Sequence, residues 1–223
     1  MKTVVTVKRK ALASNDERAG QLRAMLAERG TLALNLISSP GSGKTTLLEA
    51  TLRELGGELR CAVLEGDVAT ERDAERIRAL GVPAHQILTG GACHLDARLV
   101  QGGLEEGRIP EVDILFIENV GNLICPTSYD LGEDLKVVLL SVTEGDDKPF
   151  KYPAIFARAE VAVISKADLL PHVPFDLAAV KEQIATLNPR ATILLTSSLT
   201  GQGMGAWYDL LRARLATKRE ETA

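Results

Sequence analysis

Residues 38–46, SSPGSGKTT, set two glycines, a lysine and two threonines directly after an apolar run. The stretch approaches the pattern GxxxxGK[ST], with Gly43, Lys44 and Thr45 in place and Ser38 where the first glycine would stand. Glycines at 41 and 43 let the backbone turn its N–H groups onto phosphate, and the helix that follows adds the positive end of its dipole. Lys44 would reach the β- and γ-phosphates, and the Thr45 hydroxyl can ligate Mg²⁺. Gly41, Ser42, Gly43, Lys44, Thr45 and Thr46 are therefore read as a cradle for a nucleoside triphosphate. A chance glycine-rich loop would lack the strand before it and the helix after it.

Two acidic positions stand where Mg²⁺ and water chemistry need them. Glu65-Gly66-Asp67 ends one apolar run and ILFIENVGN, residues 114–122, ends another. Glu118 takes the Walker B position, and the N–H of Gly121 can meet a γ-phosphate. Mg²⁺ keeps several waters, so one or two carboxylates with the phosphates suffice. Asp67 is the expected second acid, either in the Mg²⁺ shell with Thr45 and Glu118 or orienting the attacking water. Lys44, Asp67 and Glu118 form the expected catalytic set, because phosphoryl transfer asks mainly for positioning and charge neutralisation. For the base, Ser165-Lys166-Ala167-Asp168 resembles the guanine-reading NKxD of GTPases, with serine for asparagine. Asp168 can accept from guanine N1–H and the 2-amino group, a donor pair adenine lacks. The stem of Lys166 would lie over the base, and backbone N–H groups near Ser198 and Leu199 in TSSLTG would meet the guanine oxygen. Both segments favour GTP over ATP.

A second chemistry is available in TGGACHLDA, residues 89–97, where Cys93 and His94 are adjacent, and in Cys125, seven residues beyond Glu118. The spacing matches no zinc finger, and free cysteine is usually a small core hydrophobe. Both cysteines, however, flank loops at the nucleotide-facing end of their strands. Three ligands do not close a tetrahedral structural site, but two chains about a two-fold axis would bring six and could hold a soft-to-borderline ion such as Ni²⁺ or Zn²⁺. Hydrolysis could then move Cys125 and loosen the metal. Cys61, inside an apolar run, is expected in the core, and His85 and His172 are expected to be ordinary loop or surface residues.

The elements that must position these groups follow from periodicity. Strands are predicted at 32–37, 61–65, 86–89, 113–117, 136–142, 161–165 and 192–196. Helices are predicted from Ser14, with a Ser14–Glu17 capping box, to Gly30, and over about 45–55, 70–80, 94–106, 151–158, 176–187 and 204–216. Alternation of this kind implies an α/β fold, a mostly parallel sheet with helices on both faces, whose ligands collect at the carboxyl ends of the strands. Residues 1–30 are expected to form a helical segment packed on a domain spanning 31–216, with 217–223 a frayed polar tail. A net charge of −4 excludes a net basic footprint for nucleic acid. No apolar run approaches the ~18 residues of a membrane span, and the short apolar stretch at Val4, Val5 and Val7 is not expected to act as a secretory signal. Three cysteines, an odd and sparse set, point to a reducing, cytoplasmic setting.

Together GSGKTT, LEGDVATERDAERI (64–77), TGGACHLDA, ENVGNLICP (118–126) and VTEGDDKPFKYP (142–153) resemble the HypB family of hydrogenase nickel-incorporation GTPases. The resemblance implies a P-loop GTPase of the signal-recognition and MinD-like (SIMIBI) class, with a dimer favoured by GTP. It implies a small nickel- and zinc-binding partner, HypA, and nickel delivery to the [NiFe]-hydrogenase large-subunit precursor. Cofactors would be GTP/GDP, Mg²⁺ and Ni²⁺ or Zn²⁺, with metal ligands Cys93, His94 and Cys125. Residues 1–30 hold neither Cys nor His, so the nickel-storage motifs of some members are expected to be absent. Lys148, in the family's GDDKP stretch, is left open between nucleotide and partner subunit. Three rivals are a urease-directed GTPase, whose metal motif brackets a proline, a dimeric metal-binding module that uses nucleotide as a structural ligand, and an ATP-dependent kinase or positioning ATPase, against which the SKAD segment counts. Adjacent Cys93 and His94 disfavour the first.

Overall fold

In the computed structural model, which describes residues 2–67 and 72–222 (without the side chains of residues 2–9 and 67), the apolar runs are the strands of one sheet. Among the described residues seven strands occur: β1 (Leu32–Ser38), β2 (Cys61–Asp67), β3 (Ala84–Leu88), β4 (Ile114–Glu118), β5 (Leu135–Ser141), β6 (Val161–Ser165) and β7 (Thr192–Leu195). Their order is β3-β2-β4-β1-β5-β6-β7, and every pairing is parallel. Parallel strands need crossovers, which carry helices α2 (Lys44–Leu55), α3 (Arg72–Arg78), α4 (Ala97–Glu106), α5 (Lys148–Lys151), α6 (Pro153–Phe156) and α7 (Leu177–Leu187), while α1 (Lys2–Glu28) precedes the first strand and α8 (Met204–Thr222) follows the last.

Both faces of the sheet are covered, so the strands read as continuous apolar runs rather than alternating ones. Leu32, Leu34 and Leu36 of β1 pack with Leu47 and Leu48 of α2 and with Trp207 and Leu211 of α8. On the other face Ala33 meets Leu22 and Leu26 of α1 and Val100 of α4, while Ile37 meets Phe156 of α6 and Val180 and Ile184 of α7. At the centre β1 is flanked by β4 and β5, and the chain reverses its lateral direction there. The carboxyl ends of β1, β4 and β2 thus open a crevice.

Three expectations need correction. α1 begins at Lys2 and passes through Ser14, so no capping box starts it; KRKALA at 8–13 are strong helix formers that carry the helix through a potential cap. Asn15 is used across the fold instead, its Nδ2 donating to Asp130 O at 2.8 Å and its Oδ1 accepting from Ala97 N at 2.9 Å. The helix expected over 151–158 is two short ones, α5 and α6, because Pro153 drives Tyr152 out of helical geometry (φ −127°, ψ 52°). The polar stretch 217–222, expected to fray, continues α8. There Lys218 Nζ donates to Asp134 Oδ1 at 2.5 Å and Arg219 to Asp113 Oδ1 at 2.7 Å. No described helix is long and apolar enough to cross a membrane.

Candidate nucleotide and metal site

Beyond Ser38 the chain turns through Gly41 (φ +77°) and Gly43 (φ +94°) into α2. Both glycines occupy left-handed backbone that a side chain would strain. Lys44, the first residue of α2, donates from Nζ to Ser38 Oγ at 2.9 Å and lies 3.8 Å from Glu118 Oε1. Thr45 Oγ1 donates to the same Glu118 oxygen at 3.2 Å. Ser38, the departure from the glycine pattern, thereby becomes a partner of the lysine. Gly121 presses on the loop: a Cβ there would stand 2.9 Å from Pro40 Cγ. Lys44, Thr45, Glu65, Glu118 and Gly121 line one cavity of about 530 Å³.

The sequence favours Asp67 over Glu65 as the second acid, and the Asp67 side chain lies outside the described residues. Register places Glu65 beside Glu118 across β2 and β4. Burial, and then the neighbouring Glu118, push the Glu65 carboxyl far above the usual range; burial likewise raises Glu118, against the pull of Lys44. Among the described residues Glu65 Oε1 and Glu118 Oε2 have no hydrogen-bond partner, and both are buried. The signal for Glu65 is adjacency of β2 and β4, which chain order does not reveal.

At the other flank Ser165 Oγ donates to Ser42 O at 2.7 Å and Lys166 Nζ to Gly41 O at 2.7 Å. The serine in place of asparagine therefore ties this loop to the phosphate loop directly. Asp168 Oδ1 accepts from Ser197 Oγ at 2.5 Å, and Ala167 N donates to Thr196 O at 3.0 Å, which joins the SKAD segment to the TSSLTG loop. Ser198 and Leu199 follow in that loop, Leu199 fully outward at 84% exposed. Lys148, which the sequence assigns to neither nucleotide nor partner subunit, donates from Nζ to Ser39 Oγ at 3.2 Å and sits 3.6 Å from Glu144, whose other oxygen accepts from Ser42 Oγ at 2.5 Å. It thus contacts the phosphate loop of its own chain.

The second cluster lies at the same end of the sheet. One ligand atom each from Cys93, His94 and Cys125 fall within 4.8 Å of one another. Cys93 is exposed, and Cys125 is half-buried. A hydrogen bond with Cys125 raises the Cys93 thiol above its ordinary value, while partial burial lowers the His94 imidazole, favouring the neutral ring that binds metals. That ring packs on Tyr129 with centroids 4.0 Å apart. Two sulfurs and one nitrogen suit a soft-to-borderline cation and leave room for further ligands. Cys61, by contrast, is core, its thiol pushed up to about 12 mainly by burial.

Residues 32–195 match the family model described as CobW/HypB/UreG, nucleotide-binding domain. The hydrogenase maturation factor HypB of Escherichia coli (strain K12) is 49% identical over 203 residues, which cover 91% of this chain and 70% of that protein. Among solved structures, HypB from Archaeoglobus fulgidus aligns with a TM-score of 0.85 at 43% identity, over 91% of this chain and 99% of that one. HypB from Helicobacter pylori, solved in complex with nickel, aligns with a TM-score of 0.85 at 44% identity, over 94% and 97% of the two chains. The phosphate loop, the ENVGN strand end and the Cys-His segment thus stand in a shared framework, and the chain belongs to the HypB family of hydrogenase maturation factors.

Proposed function

We propose that this chain is a GTP-hydrolysing metallochaperone that couples GTP binding and hydrolysis to nickel delivery during [NiFe]-hydrogenase maturation. The observation that carries the reading is the placement of Cys125 on the segment that leaves Glu118 and Gly121. One stretch of chain serves the phosphate cavity and the metal cluster.

Lys44 holds the β- and γ-phosphate oxygens once nucleotide displaces its contacts with Ser38 and Glu118. Thr45, Glu118 and, in this proposal, Asp67 supply hard oxygens for Mg²⁺, and the orphaned Glu118 Oε2 fits that role. When bound, Mg²⁺ would neutralise charge on the β- and γ-phosphates. Water attacks the γ-phosphorus, the bond to the β–γ bridging oxygen breaks, and GDP and phosphate leave. Asp168, Lys166 and the loop amides at Ser198 and Leu199 read guanine. Nickel, or zinc in its place, is cargo held by Cys93, His94 and Cys125. The proposal extends to a GTP-favoured homodimer with the metal at its two-fold axis, a HypA-like supplier, the hydrogenase large-subunit precursor as receiver, and a reducing, cytoplasmic setting.

Titration of Ni²⁺ into the GDP-bound and GTP-analogue-bound chain, with mass measured alongside, tests this. Metal affinity should differ between the two states, the analogue should favour the dimer, and Cys125→Ala should lose metal while keeping nucleotide. Identical metal affinity in both states would reduce the nucleotide to a structural ligand.

A further inference from the structure

The segment after Glu118 makes contacts in two directions. Toward the nucleotide, Gly121 abuts Pro40 of the phosphate loop so closely that a Cβ would also lie 3.1 Å from the Pro40 nitrogen and 3.2 Å from its Cα. Toward the metal cluster, the residues on either side of that glycine reach across. Asn119 is buried, and its Oδ1 accepts from Leu95 N at 3.1 Å and from Val120 N at 3.0 Å. Leu95 is the residue next to His94. Nδ2 of Asn119 donates to Asn35 Oδ1 at 3.1 Å, and Asn35 in turn donates to Glu133 Oε1 at 3.2 Å, which fixes the amide plane to β1. Asn122 donates from Nδ2 to Cys93 O at 3.1 Å and accepts from Ile124 N at 2.9 Å through Oδ1. A single carboxamide therefore spans the loop that carries Cys93 and the turn that carries Cys125. The Leu95 side chain completes the contact, since a Cβ on Gly66 at the end of β2 would meet its Cδ1 at 2.8 Å.

Resting on the functional reading above, we propose that residues 119–122 are the link through which the phosphate cavity sets metal affinity, with Asn119 and Asn122 as its positioning residues. Neither is among the three ligand residues. A γ-phosphate that draws in the Gly121 amide displaces Val120 and Asn122 with it. Asn119 Oδ1 then cannot keep both its amide donors in line, and Asn122 shifts Cys93 relative to Cys125. The ligand atoms move by the geometry of two hydrogen-bonded carboxamides, and the direct contact of Asn122 with the Cys93 thiol is common to both nucleotide states and cancels in their ratio. A two-state element biased at both ends is what coupling requires.

The test uses the full chain with Mg²⁺, comparing GDP with a non-hydrolysable GTP analogue and measuring Ni²⁺ affinity by chelator competition. Couplings of this kind are typically about 5–150-fold, and the unsubstituted chain should show a ratio in that range. In Asn122→Ala, at a half-buried position, and in Asn119→Ala the ratio should collapse to within about twofold. Nickel should still bind in each state, since all three ligand residues remain. Asn119 is buried, so if its variant does not fold, Asn122→Ala alone decides. A ratio kept in Asn122→Ala while the unsubstituted chain also shows it overturns this link and leaves the functional reading standing. A ratio of one in the unsubstituted chain overturns the functional reading, and this link with it.

Discussion

Glu65 shows how much one side chain's setting can differ from its letter. In the sequence it is an acid at a strand end; in the fold it is buried against a second carboxyl, and its proton is held from an ordinary 4.5 up to about 10. The sign of the consequence follows from linkage. Below pH 4.5 the carboxyl is neutral in both folded and unfolded chains and costs nothing. As pH rises from there towards 10, the unfolded chain ionises it freely while the folded chain resists, so stability falls across that window. Glu65→Gln never ionises. In the nucleotide-free protein it should therefore stabilise by ~1–3 kcal/mol at neutral pH, by more at pH 9 and by nearly nothing at pH 4. Urea melts across that range check it, and a gain that did not grow with pH would place the Glu65 proton elsewhere. Lys44, Thr45 and Gly43 were legible because their roles depend on a contiguous motif. Glu65, Lys148 and Glu144 were not, because Glu65 faces a neighbouring strand and Lys148 and Glu144 reach serines of the phosphate loop from more than a hundred residues away.

Among the elements, α1 was foreseen in kind but not in length or attachment. Capping rules predict where a helix can start, and here strong helix formers upstream of Ser14 override them. Its docking depends on Asn15, on the Arg23–Asp130 ion pair at 2.6 Å and on Gly132. Gly132 has φ +80°, and a Cβ there would lie 2.9 Å from Ala19 O, 2.9 Å from Leu22 Cβ and 3.0 Å from Arg23 N. The helix backbone sits directly on this glycine. Gly132→Ala should therefore cost about 2–4 kcal/mol, combining left-handed strain with overpacking, and should raise hydrogen exchange in 15–26 ahead of the sheet. Unchanged exchange there would mean that α1 is held by its ion pair and apolar stripe instead. The helix expected over 151–158 covers α6 but only the last residue of α5, because Pro149 and Pro153 each fall in the first turn of a separate short helix.

At the scale of the whole molecule, nucleotide binding should appear as global stability, since the phosphate loop, β6 and the TSSLTG loop are tied by Ser165, Lys166 and Ala167 into one unit. GDP at about a hundred times its dissociation constant should add ~2.7 kcal/mol and raise the melting temperature by about 5–10 °C, while ATP at the same concentration should add little. Asp168→Asn should transfer that gain to xanthosine diphosphate, because it reverses the hydrogen-bonding edge; the same thermal shift with GDP in that variant would move base recognition off Asp168. The amino-acid sequence by itself determined the α/β class, the phosphate-loop motif and the adjacent Cys–His pair proposed as metal donors, because each rests on local periodicity or on residues adjacent in the chain. Only the tertiary structure decided that β4 lies between β2 and β1, that Glu65 therefore faces Glu118, and that Cys125 closes on Cys93 and His94 beside the phosphate cavity. Strand order is set by how buried faces pack across many residues, and that information is carried by no single segment.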